Sequence, residues 1–123
     1  FMRTRQTDLD NWSTALSENI ADALEAENLP QVELIIRRYG APKTVTLRVF
    51  DPQGTLLATS NPQLDRQVQN WGEVVGMREA LKNRPMRGVA KGVLSPDDRL
   101  YIARPIQRNG QMLGVLRMSI TLE

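Results

Sequence analysis

The sequence contains no cysteine and no histidine. Without cysteine there is no disulfide and no thiolate metal site, while the compartment stays open, since many extracytoplasmic domains also lack cysteine. Without histidine the chain has no imidazole general base, lacks the commonest zinc ligand and has no phospho-accepting imidazole. Ser60 and Ser119 therefore have no such base to activate them, no carboxylate pair has a catalytic spacing, and no glycine-rich loop resembles a phosphate cradle. Catalysis is poorly supported, and no metal or cofactor is implied: Asp97-Asp98 falls well short of the six or more oxygens that calcium takes. Aromatic residues make up 5%, too few for a stacking platform on single strands. The 16 Lys and Arg against 14 Asp and Glu leave a formal charge of +2, scattered along the chain, which argues against a nucleic-acid partner. No apolar run approaches the ~20 residues that span a bilayer, and no signal peptide is visible.

What is present organises around Val45–Ser60. Val45, Leu47 and Val49 alternate with Thr46, Arg48 and Phe50, the period-two signal of a strand. Asp51-Pro52-Gln53-Gly54 supplies turn chemistry, and Thr55 to Thr59 returns as a second short strand. At 123 residues the chain reads as one domain, long enough to bury roughly two thirds of its unfolded surface. Residues 1–42 supply amino-terminal helices and residues 43–123 a sheet with an inserted loop and helix.

Upstream, Leu9, Trp12, Leu16, Ile20, Ala23 and Leu24 recur at helical spacing, predicting a helix over Asp8–Asn28 of about 30 Å. It either covers the core or enters from a membrane segment and pairs with its twin in a dimer; the two are compatible. Pro30 after Asn28 starts a second helix, Gln31–Tyr39, with Val32, Ile35, Ile36 and Tyr39 on one face, and Gly40-Ala41-Pro42 ends it. Downstream, Asn61–Gly72 is polar and aperiodic and reads as a loop, and Glu73–Asn83 reads as a helix. Met86–Leu94 is a third strand with Gly88, Ala90 and Gly92 on one face, a geometry that admits close approach. Ser95-Pro96-Asp97-Asp98 turns into a fourth strand, Arg99–Arg108. Asn109-Gly110 is a strong hairpin signal leading to a fifth, Gln111–Leu122. In the fifth, Met112, Leu116, Met118 and Ile120 are expected on one face and Leu113 and Val115 on the other, so both faces need cover.

This order is an α+β pattern of two helices and a five-stranded antiparallel sheet with a mid-chain loop and helix cover. It resembles the PAS-like extracytoplasmic sensor fold, also called the single Cache or PDC fold. The residues that carry the likeness are Asp51, Gly54, Thr59-Ser60, Pro105-Ile106, Gly110, Gly114 and Val115, with the helical GEVVGMREALKN and the long first helix. Such turn and packing residues report architecture rather than ligand. The resemblance is to the input regions of bacterial membrane-bound sensor histidine kinases, with wording close to that of cyanobacterial stress-responsive kinases. It implies a periplasmic domain cut from a longer protein, joined to the membrane by helices at both ends, dimerising through its first helix. The kinase core and phospho-acceptor would lie elsewhere, and signalling would be a shift between arrangements of the paired helices.

Candidate ligand residues follow from misplaced chemistry. Arg104 shares a strand face with Leu100, Ile102 and Ile106, so it needs a carboxylate such as Glu79 or Asp65, an edge reaching water, or an anionic ligand. Arg87 and Lys91 share a face of the third strand, as a small-carboxylate site or a solvated edge would have them. Trp71 is either a packing anchor or a pocket wall, and Tyr101 either packs in the core or lines that pocket with Trp71 and Met77. Two functions remain: a sensor taking a small anion or metabolite in a pocket between the sheet and the Glu73–Asn83 side, or a dimerising module without a pocket of its own that answers to membrane state or a partner protein.

Overall fold

A computed structural model describes residues 2–41, 44–93 and 97–122, and side chains from Arg5 onward. Helix α1 runs Met2–Glu25, uninterrupted by glycine or proline. It begins earlier and ends sooner than the apolar spacing predicts. Its buried stripe is Leu9, Ser13, Leu16, Ile20 and Ala23, and Trp12 stands 50% exposed on the flank. Ser13 takes the inward place because its hydroxyl donates to the Asp10 carbonyl and accepts from Arg104. The helix ends at a Schellman turn: Asn28 N donates to Ala23 O, Glu27 N to Leu24 O, and Glu27 adopts φ 53° where glycine is usual.

Asn28 then caps α2 (Leu29–Tyr39), its side chain accepting from Gln31 N, with Pro30 in the first turn. Val32, Ile35 and Ile36 are buried, whereas Tyr39, expected with them, is half-exposed at the carboxyl end. Pro42 lies outside the described residues.

Five antiparallel strands follow: β1 (Val45–Phe50), β2 (Leu56–Thr59), β3 (Met86–Lys91), β4 (Asp98–Arg108) and β5 (Gln111–Thr121). Their order is β2-β1-β5-β4-β3, so β5 is central, as its apolar faces require. In the β1–β2 turn Asp51 Oδ1 accepts from the backbone of Gln53 and Thr55, and Gly54 supplies φ 93°. Asn109 and Gly110 both have positive φ, 55° and 78°, closing the β4–β5 hairpin. β3 ends before its expected limit, and Leu94, Ser95 and Pro96 lie outside the described residues. The small face of β3 accommodates a side chain: Gly88 sits directly opposite Tyr101.

One expected alternation is overturned. Ile106 pairs with Gly114 and Gln107 with Met112, leaving Leu113 as an extra residue in a bulge. The faces therefore swap at that point: Leu113 joins the helix-side core and Met112 the opposite one. A second bulge inserts Leu57 between the partners of Val49 and Phe50.

The sheet separates two cores. Helices α1 and α2 close the larger around Leu47, Val49, Leu100, Ile102, Leu116 and Ile120. The smaller holds Phe50, Met77, Ala80, Ala103 and Val115. Its cover differs from the single helix expected over Glu73–Asn83. Helix α3 (Pro62–Asp65) rises within the expected loop, a 3-10 turn forms at Trp71–Glu73, and only Met77–Leu81 is α-helical (α4). Gly76 interrupts the helix with φ 86°, and a Cβ there would come within 2.8 Å of the Tyr101 ring. Gly114 is constrained by space alone: a Cβ would run into the Phe50 carbonyl oxygen across the β1–β5 pairing. Gly114→Ala is expected to cost about 1–3 kcal/mol in denaturant unfolding, through forced separation of β1 from β5. A loss under about 0.5 kcal/mol would show that the strands yield freely.

Candidate functional site

The loop side of the sheet carries an unusual charge arrangement. Arg48 on β1 and Arg117 on β5 are directly opposite each other across the strands, and both are buried, at 6% and 3% exposure. Like charges in this register repel, and burial strengthens the repulsion. Among the described residues one buried carboxylate lies beside the pair, and it bonds to Arg48. Asp65, at the end of α3, receives two hydrogen bonds from Arg48, Nε to Oδ2 at 2.7 Å and a terminal nitrogen to Oδ1 at 2.8 Å. Thr59, the β2 partner of Arg48, donates to the same carboxylate at 2.5 Å. Trp71 covers this unit, its ring 5.2 Å from the Arg48 guanidinium carbon and edge-on to Phe50.

Arg117 is held differently. Its Nε donates to the Val75 carbonyl at 3.1 Å, and its guanidinium lies 5.0 Å from the Tyr101 ring centre. Among the described residues it makes no ion pair with a carboxylate. Burial, with Arg48 and Arg99 nearby, pushes its pKa down to about 10, only partly offset by Tyr101 and Asp65. Arg99 binds the Ser119 side chain and the carbonyls of Thr44 and Ser119. Burial raises the Tyr101 pKa, and Arg117 opposes that shift.

Arg117 also borders an open cavity of about 680 Å³ between the sheet and the 67–75 segment. Gln67, Gln69, Asn70 and Glu73 form its polar outer wall, and Lys91-Gly92 its far edge. It can admit a small molecule and offer one end of it a buried cation.

The sequence-derived candidates divide between the two faces. Trp71, Met77 and Tyr101 come together on the loop side, where Met77 is fully buried and Trp71 and Tyr101 brace the two arginines. Lys91 reaches the cavity edge, largely exposed, with an ion pair to Asp98 at 3.3 Å. Arg104 and Arg87 lie on the helical side. Arg104 pairs with neither Glu79 nor Asp65: it donates to Ser13 and Thr14 on α1 at 2.8 and 2.6 Å, and burial lowers its pKa. Arg87 pairs with Asp10 of α1 at 2.5 Å, while Lys91, four residues on and on the same strand face, meets the cavity only at its edge. Arg108 completes this row, gripping Asp22 and Glu25. These arginines fasten α1 along β3 and β4. Where α1 meets β1, β5 and the end of α2, Trp12, Leu16, Tyr39, Val45 and Met118 line an apolar groove of about 360 Å³.

The residues that sequence reasoning missed are Arg48, Arg99 and Arg117. The signal for Arg117 was available: it stands between Leu116 and Met118 in a strand whose two faces both had to be covered.

No protein-family model matches the chain, and no curated protein does. Solved structures do. The histidine kinase DctB sensor domain of Vibrio cholerae aligns over 99% of this chain and 54% of its own, at 20% identity and TM-score 0.59. The Escherichia coli DcuS sensor domain aligns over 95% and 91%, at 20% identity and TM-score 0.63. The ligand-binding domain of the Campylobacter jejuni chemoreceptor Tlp3, in complex with L-norvaline, aligns over 98% and 55%, at 17% identity and TM-score 0.64. The chain thus spans about half the length of the DctB and Tlp3 domains and nearly all of the DcuS domain. None of these relatives supports the cyanobacterial attribution that the sequence resemblance carried. What they share with this chain is architecture: a long first helix, a second helix and a five-stranded antiparallel sheet with a mid-chain cover, the PAS-like PDC/Cache fold of bacterial sensor domains.

Proposed function

We propose that the chain is the extracytoplasmic input domain of a membrane-anchored sensor histidine kinase, and that its stimulus is a small organic anion bound in the loop-side cavity. The observation that carries this reading is the Arg48–Arg117 pair: two buried cations stand in direct register beside an open cavity, and the one carboxylate next to them is bonded to Arg48. An uncompensated buried cation in a cleft is a functional-site signature, and an anion supplies the missing charge. Arg117 and Lys91 are the ligand's cationic contacts; Trp71 and Tyr101 hold the arginines in place. Tlp3 domains solved with L-norvaline and L-valine give precedent for a small ligand on this architecture. The domain itself is not an enzyme. Among the described residues no helix is long and apolar enough to cross a membrane. On this reading the signal leaves through α1 and β5.

A thermal-shift screen of small mono- and dicarboxylates tests this. A ligand at about 100 times its Kd adds about 2.7 kcal/mol to the folded state and raises the melting temperature by several degrees. A screen without any response would favour a second reading. The apolar groove beside exposed Trp12 and Tyr39 suits a module that pairs with a second copy through α1 and needs no ligand. On that reading, Trp12→Ala alters the oligomeric state and carboxylates alter nothing.

A further inference from the structure

The contact that holds Arg117 is itself suited to exchange with a ligand. We propose that the Val75 carbonyl is a placeholder for the ligand's anionic group: an anion entering the cavity takes the Arg117 guanidinium from it and releases the turn that carries Val75. This rests on the anion site proposed above and adds how that site drives a change of shape.

The carbonyl is a weak occupant. It is neutral, so it leaves the repulsion between Arg48 and Arg117 uncancelled. A carboxylate on the same guanidinium makes charge-assisted bonds about twice as strong and removes the excess charge. Arg117 borders the cavity, so an anion reaches it without unfolding the strand.

The turn is built to move. Upstream, Asp65 is gripped by Arg48; downstream, Met77 and Ala80 are fully buried. Between these anchors Gln67, Gln69, Asn70, Glu73 and Val75 are exposed, and Trp71 and Val74 pack, partly buried, against the loop-side core, so the Val75 end of the segment is the less firmly held. Two backbone hydrogen bonds tie the turn internally, Val74 N to Trp71 O and Met77 N to Val74 O. Gly76, at φ 86°, supplies a backbone swivel next to the released carbonyl. Trp71 at the other end lies against Arg48 and Phe50, so movement of the turn reaches β1 and the sheet.

Nuclear magnetic resonance of the whole chain tests the exchange, with sodium malonate and sodium sulfate as probes against sodium chloride at matched ionic strength. A bound probe is expected to shift the Arg117 Nε–H resonance and to raise hydrogen exchange at the Val74 and Met77 amides by about tenfold or more, while β5 amides stay protected. Arg117→Met without any probe is expected to show the same raised exchange, because the latch is gone; Arg117→Lys serves if the methionine variant fails to fold. A probe that raises the melting temperature through Arg117 yet leaves both amides protected overturns the exchange and leaves the anion site standing. Failure of both probes to bind overturns the two together.

Discussion

Asp65→Ala is expected to destabilise the domain by about 3–5 kcal/mol, the scale for breaking a buried ion pair from one side. The reason is arithmetic of charge. Among the described residues Asp65 is the one buried carboxylate beside Arg48 and Arg117, and its removal leaves two buried guanidinium groups facing each other with the Val75 carbonyl and the Trp71 and Tyr101 rings as neighbours. Thr59 loses its acceptor as well. Set against a total stability of about 5–15 kcal/mol, the variant stands near the edge of folding. The double variant Asp65→Ala with Arg48→Met is expected to recover most of the loss, since it removes a cation along with its partner. Denaturant midpoints of the wild type, both single variants and the double variant measure this. A loss under about 1 kcal/mol in Asp65→Ala would mean the pair is screened like a surface bridge.

Arg117→Met is expected to act in the opposite sense, raising stability by about 1–2 kcal/mol while abolishing anion binding. Methionine fits the same strand position and keeps the apolar stem, while the desolvated charge and its repulsion with Arg48 disappear. The losses are one hydrogen bond to Val75 and the contact with the Tyr101 ring. The pH dependence has a definite sign. The folded-state pKa of Arg117 is lowered to about 10, so above that value the unfolded chain binds the proton more readily, and wild-type stability rises as pH climbs through it. Below about 10 the cost of the charge is constant, so the variant's gain is fully present at neutral pH. Thermal unfolding at pH 7 with a rise of about 4–8 °C is the expected result. A fall would mean that Arg117 is a structural group, satisfied without a ligand.

This trade of stability for a charge explains which parts of the molecule were legible beforehand. Strand alternation, the Asp51–Gly54 turn, the Asn109-Gly110 hairpin and the central place of β5 all follow from local chemistry, and the sheet forms accordingly. The failures have a common cause in tertiary contacts. Helix α3 is four residues long and leaves no periodicity to read; it is anchored by the bond from Asp65 to Arg48, seventeen residues upstream in sequence. The bulge at Leu113 reverses which face Met112 meets, and nothing in the alternation of that strand announces it. Ser13, a polar residue, takes an inward position that Trp12 was expected to hold, because Arg104 supplies a partner across the interface.

The site shows the same division. The rule that a cation among apolar neighbours requires a partner singled out Arg104, and Arg104 does have partners, on α1. The same rule applies with more force to Arg117, where the partner among the described residues is a lone backbone carbonyl and an aromatic face. What the sequence could not reveal is register. Only the pairing of β1 with β5 brings Arg48 opposite Arg117 and turns two ordinary strand arginines into an excess of buried positive charge.

Isothermal titration of a small dicarboxylate such as malonate into three proteins, the wild type, Arg117→Met and Arg104→Met, tests the central claim most directly. One site per chain is expected in the wild type, retained in Arg104→Met and lost in Arg117→Met. Binding that survives in Arg117→Met and vanishes in Arg104→Met would move the site to the helical face and contradict it.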